Sequence, residues 1–225
     1  MTAFASWLNT AFAGFDYAIL SFYHTLAEHA GWILTPFLKL ISLVGEKGIL
    51  CFVIALICLL FPKTRKIGIC IVLAVGVGGL LTNLTIKDLV ARPRPFQSSV
   101  AEFAAWWTDI GSPSVSEFSF PSGHTTSAVA GMTVLCLFSN KKLRVILPAV
   151  SYALLTGISR NYLMVHYPTD VIAGFLVGTV AALTAFGMTT LLYFLLEKKK
   201  ETKPVRFALE FDIRNCFRKK DKKET

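Results

Sequence analysis

The sequence predicts an all-α protein, a polytopic membrane helix bundle of about six transmembrane helices with a polar site at its extracytoplasmic face. Three observations carry that expectation. The 225 residues are 54% hydrophobic and only 16% charged, with mean hydropathy +0.58, too apolar for a soluble domain of this length. Apolar runs recur at lengths suited to a bilayer, and the basic residues between them gather in alternate loops.

A spanning helix needs ~20 largely apolar residues. Residues 67–86 and the uncharged 171–196 meet that directly. Residues 48–61, 125–138 and 145–158 are shorter, with uncharged neighbours into which their ends can extend. The first span is the least regular, because Asp16, Glu28, Pro36 and Lys39 interrupt the apolar character before Gly45. Residues 3–28 read as an interfacial amphipathic stretch and 30–45 as the first span. The chain thus divides into an N-terminal interfacial segment (1–29), a six-helix membrane domain (30–196) and a basic cytoplasmic tail (197–225).

Loop charge orients the bundle. The turn at 62–66 carries Lys63, Arg65 and Lys66, and the turn at 139–144 carries Lys141, Lys142 and Arg144. The tail adds 11 Lys/Arg against 6 Asp/Glu. These three segments fall on one side, which the positive-inside rule makes cytoplasmic, along with both termini. The opposite loops are near neutral: at 87–120, Lys87, Arg92 and Arg94 face Asp88, Glu102, Asp109 and Glu117, and at 159–170 Arg160 faces Asp170. The tail suits anionic lipid headgroups, and no nucleic-acid partner is expected. Cys51, Cys58, Cys70 and Cys136 lie in apolar runs and Cys216 in the tail, without metal-ligand spacing, so no metal is implied. No removable signal peptide is expected. Phe103, Trp106 and Trp107 in the outward loop read as an interfacial aromatic anchor.

Because the helices alternate in direction, three polar clusters meet on the outward surface. Lys87 to Pro95 follows the third span, Pro121-Ser122-Gly123-His124 opens the fourth, and Ser159-Arg160, His166 and Asp170 join the fifth to the sixth. Each cluster alone passes for helix-end chemistry, with Ser capping, Pro in a first turn and Asp favoured by the dipole. Together they place two histidines, several cations and a carboxylate on one face, where positive charge is otherwise disfavoured. A phosphate ester accounts for the set. Lys87, Arg94 and Arg160 supply fixed charge to its oxygens. The Ser122–Gly123 turn offers backbone N–H groups at a helix start. Two histidines can divide nucleophilic attack from proton delivery. Asp170, four residues after His166, can hold the imidazole tautomer.

Lys87…Arg94-Pro95, Pro121-Ser122-Gly123-His124 and Ser159-Arg160…His166…Asp170 reproduce in order the patterns K-x6-R-P, P-S-G-H and S-R-x5-H-x3-D. This three-part signature resembles that of the type 2 phosphatidic acid phosphatase superfamily, which includes bacterial lipid phosphatases such as undecaprenyl-diphosphate phosphatases. The resemblance implies that His166 is a nucleophile forming a phosphohistidine, with Asp170 orienting it and His124 acting as general acid and later as base. It implies phosphate binding by Lys87, Arg94, Ser122, Gly123 and Arg160, no metal or other cofactor, and a lipid phosphate or diphosphate as substrate. Arg92 lies outside the strict motif and is given a secondary role, as is Ser159. Two alternatives stand beside hydrolysis: a lipid phosphotransferase using the same histidine chemistry, and a non-enzymatic membrane scaffold or permease.

Overall fold

A computed structural model describes residues 1–115, 118–140 and 142–214. Glu117, Lys141 and the end of the basic tail, with Cys216, lie outside the described residues. Among the described residues ten α-helices follow in order: α1 (Ala3–Ala11), α2 (Ala13–Val44), α3 (Ile49–Leu59), α4 (Arg65–Leu81), α5 (Lys87–Val90), α6 (Ala101–Asp109), α7 (Gly123–Phe138), α8 (Leu143–Tyr162), α9 (Pro168–Lys198) and α10 (Lys203–Glu210). No strand occurs among the described residues.

Every apolar run singled out in the sequence is helical. Three helical stretches, Arg65–Gln97, Leu143–Tyr162 and Pro168–Lys198, are long and apolar enough to cross a membrane. A fourth results if Ala13–Val44 and Glu46–Leu59, bent by 42°, form one broken span, and Gly123–Phe138 is a shorter apolar helix. The stretch read as amphipathic, 3–28, divides between α1 and the first half of α2, and α2 continues through the first span, with Ala30 alone leaving helical backbone angles (φ −131°, ψ 16°).

The interior is built from small residues. The main core joins α3, α4, α7, α8 and α9 through Cys51, Ala55, Cys70, Ala74, Ala130, Ala153, Ala181 and Ala185. Small side chains let helix backbones approach closely, and close packing is the chief attraction between helices within lipid. On α9, a Cβ at Gly174 would meet the Ser122 carbonyl at 2.9 Å, and one at Gly178 the Thr126 carbonyl at 2.7 Å. These two glycines seat the first turns of α7 against α9. Large apolar side chains point outward instead, among them Leu84 (71% exposed), Leu147 (61%) and Leu176 (66%).

A second core lies beneath the polar end of the bundle, where Leu20, Leu38, Phe103, Tyr162, Leu163, Met164, Val165 and Tyr167 pack together. The aromatic residues of α6 belong to it. Phe103 is buried, Trp106 stacks on His24 at 4.8 Å and Trp107 on Phe96 at 4.2 Å. The aromatic anchor expected from the sequence thus faces inward and fastens the 96–120 loop to α2. α1 completes this end. Thr2 caps it by accepting the Ala5 N–H at 3.2 Å and donates to the Val90 carbonyl at 2.6 Å.

Candidate active site

The three polar clusters converge at the end of the bundle where α4 finishes and α7 and α9 begin. Between α4 and α5, Thr82–Ile86 forms a turn of π-helix. Such a turn shifts the register by one residue, and it leads directly into Lys87. Ala91 then takes the left-handed conformation (φ 49°), closing α5 with its N–H on the Lys87 carbonyl at 2.8 Å. Beyond it Arg92 and Arg94 each precede a proline, which disfavours helix and extends the chain. Arg94 is extended (φ −75°, ψ 162°). A second left-handed residue, Met164 (φ 54°), turns the chain from α8 toward His166. Both non-glycine residues sit in a strained region of backbone space, a device common around functional groups.

A cavity of about 780 Å³ opens there, lined by Lys87, Arg94, Gly123, His124, Arg160 and His166. Six of the eight predicted site residues therefore share one wall. Lys39, Glu46 and Lys47 also line it, and Gly111, Pro113 and Phe118 of the loop close over it. Lys39 reaches under that loop, so that a Cβ at Gly111 would stand 3.1 Å from its ammonium nitrogen. Its place in an apolar helix is thus explained by the cavity. Arg94 and Arg160 are buried. Arg160 Nη1 donates to the Ser42 hydroxyl on α2.

His166 is buried at 2% exposure. Arg94 Nη1 lies 3.3 Å from its Nε2 and 2.5 Å from the Val165 carbonyl. A guanidinium only donates, so this contact is satisfied when Nε2 carries the lone pair and Nδ1 the proton. Nδ1 faces Asp170 Oδ2 at 3.6 Å. The imidazole thus turns its Nε2 lone pair toward Arg94 at the cavity wall and its Nδ1 proton toward a carboxylate 3.6 Å away, just beyond hydrogen-bond reach. Burial, and then the cations of Arg94, Arg160 and Lys87, hold the His166 pKa well below the ordinary 6.5. The ring is therefore neutral at physiological pH.

Two predicted residues stand behind the wall. Asp170 is fully buried. Its Oδ2 accepts the Tyr167 N–H at 2.9 Å and its Oδ1 accepts from Arg92 at 2.6 Å. Ser122 is also fully buried. Its N–H donates to the Asp170 carbonyl at 3.0 Å and its hydroxyl accepts from Thr125 at 2.9 Å. The N–H expected to meet phosphate is thus spent on joining α7 to α9, which leaves the free donors to the next residues, Gly123 and His124. Ser159 donates to the Thr156 carbonyl at 2.7 Å, inside its own helix.

Sequence reasoning gave Arg92 only a secondary role and read Asp16 only as an interruption of the first span. Arg92 is completely buried, and its guanidinium joins Asp170 to Asp16 of α2, which lies 2.8 Å from Nη2. The available signal was a lone carboxylate in an otherwise uncharged stretch of residues 3–23. A buried carboxylate demands a cationic partner.

Comparison with known proteins gives this geometry a family. Residues 63–194 match the model of the PAP2 superfamily. The chain is 34% identical over 117 residues to the undecaprenyl-diphosphatase BcrC of Bacillus subtilis, covering 52% of this chain and 55% of that protein. It is 32% identical over 164 residues to the decaprenylphosphoryl-5-phosphoribose phosphatase of Mycobacterium tuberculosis, covering 70% and 81%. The crystal structure of the first transmembrane PAP2-type phosphatidylglycerolphosphate phosphatase from Bacillus subtilis superposes with a TM-score of 0.62 at 26% identity, over 89% of this chain and 92% of that one. The match spans about half the length of the undecaprenyl-diphosphatase relatives, 55% and 54%. With the family model covering more than half of the chain, and its three motifs meeting around one cavity, the protein belongs to the PAP2 superfamily.

Proposed function

We propose that the chain is an integral membrane phosphatase that hydrolyses a lipid phosphate or diphosphate through a phosphohistidine on His166. The observation carrying this reading is His166 in the wall of a cavity shared with Lys87, Arg160 and the start of α7, its Nε2 3.3 Å from Arg94. Nε2 attacks the terminal phosphorus and its bond to the bridging oxygen breaks, an ester bond in a monophosphate and the anhydride bond in a diphosphate, while His124 delivers a proton to that leaving oxygen. Water then attacks the phosphohistidine, giving its proton back to His124. The P–N bond breaks and inorganic phosphate leaves. Lys87, Arg94, Arg160 and the N–H groups of Gly123 and His124 neutralise the equatorial oxygens throughout.

Alternating loop charge supports a reading of about six crossings, with the cavity at the extracytoplasmic face and the basic turns inside. The relatives' names supply three substrate classes: polyprenyl diphosphates, prenylphosphoryl sugar phosphates and phosphatidylglycerol phosphate. Phosphatidic acid is added by family resemblance. The test is phosphate release by the purified protein in EDTA across a panel of these lipids, with His166→Ala as control. Release from at least one lipid, lost on substitution, is expected. Equal release by wild type and variant overturns the mechanism.

A further inference from the structure

The cavity wall explains how phosphate is held, but the group that aims His166 is anchored elsewhere. Arg92 sits two residues before the motif arginine and is 0% exposed. Its Nη1 donates to Asp170 Oδ1 at 2.6 Å and to the Thr169 hydroxyl at 2.7 Å. Its Nη2 donates to Asp16 Oδ2 at 2.8 Å and its Nε to Asn9 Oδ1 at 2.8 Å. The Tyr167 ring covers the guanidinium face at 3.7 Å. Four of its five N–H donors are thereby engaged. Asp16 is doubly fixed, because its Oδ1 accepts the Thr169 N–H at 3.1 Å and its Oδ2 the Thr169 hydroxyl at 2.9 Å.

The consequence for Asp170 is directional. With Oδ1 claimed by Arg92, only Oδ2 remains to face His166 Nδ1, at 3.6 Å. Without that claim the carboxylate keeps the Tyr167 N–H on Oδ2 at 2.9 Å, a hydrogen bond about which it can pivot away from the imidazole. Asn9 and Asp16 lie in α1 and α2, before the 63–194 family match. The catalytic geometry therefore has a support outside the matched domain.

We propose that Asp16 and Arg92 are positioning residues. Asp16 locks the Arg92 fork, the fork claims one oxygen of Asp170, and the other oxygen aligns His166 so that its Nε2 meets phosphorus. The proposal rests on His166 being the nucleophile. Neither residue lines the cavity, so neither contributes to holding substrate.

The test is steady-state kinetics on the best lipid of the panel, normalised to the monodisperse fraction, for wild type, Asp16→Asn, Arg92→Lys, the double variant and His166→Ala. Asp16→Asn and Arg92→Lys are expected to lower kcat on the order of 10–100-fold with KM within about twofold, the signature of lost alignment at unchanged ground-state binding. The double variant is expected to match Arg92→Lys alone, because both substitutions cut the same link. Wild-type kcat in folded Asp16→Asn, while His166→Ala is inactive, overturns the positioning role and leaves the phosphatase reading standing. Activity surviving in His166→Ala overturns that reading instead. If Asp16→Asn does not fold, Asn9→Ala removes only the Nε acceptor. It is expected to lower kcat at least about threefold at constant KM, and a wild-type kcat there overturns the proposal.

Discussion

At the scale of single residues, His166 is defined by what surrounds each of its nitrogens. Its depressed pKa has two measurable effects. On the proposed mechanism the His166 imidazole stays neutral as pH falls through 6.5, so the acid limb of kcat/KM attributable to it lies well below that value. An acid limb near 6.5 that disappears in a His166 variant contradicts this. Stability moves the other way. The unfolded histidine gains a proton below 6.5 while the folded one does not, so stability is lost as pH falls below 6.5, by up to about 1.4 kcal/mol per unit. Thermal unfolding of His166→Gln is expected to show a smaller decline over the same range. Asp170→Asn keeps the shape but lets the imidazole proton settle on the wrong nitrogen, and a loss in kcat on the order of 10³–10⁴ is expected. Much of this was legible in the sequence, because the motifs fix residue types at fixed spacings. The Asp16–Arg92 pair was not, since its members are 76 positions apart and only folding joins them.

At the scale of elements, the helices followed from apolar length, and their ends from proline and polar residues. The packing distances did not, because a glycine in an apolar run looks alike whether it faces lipid or a neighbouring backbone. Gly76 and Gly187 have open space where a Cβ would stand, whereas Gly178 meets the Thr126 carbonyl at 2.7 Å. Gly178→Ala is expected to cost about 1–3 kcal/mol by overpacking, read as a lower Tm in detergent. It should also lower phosphatase activity, because the α7 start it displaces carries Gly123 and His124. Gly187→Ala, with nothing to meet, serves as the neutral comparison. The continuity of α2 was hidden for a related reason. Asp16 and Lys39 looked like interruptions of a membrane helix, yet both face polar interior, one toward Arg92 and the other toward the cavity.

At the scale of the whole molecule, alternating loop charge is the argument for orientation. In a variant stripped of its native cysteines, Asp109→Cys is expected to react with an impermeant maleimide added to intact cells, and Lys199→Cys only after permeabilisation. The reverse pattern contradicts the proposed topology. The assembled cavity has a further consequence. Its wall sets Lys39, Lys47, Lys87, Arg94 and Arg160 against Glu46 and Asp88, and such fixed charge answers to the phosphoryl group whatever it is attached to. In the proposed reaction, the inorganic phosphate left at the end of a turnover meets the same cations that would capture the lipid. Free phosphate is therefore expected to inhibit competitively, and more weakly as added salt screens the wall. On the proposed reaction, the same charge that strengthens capture also opposes release of the product phosphate.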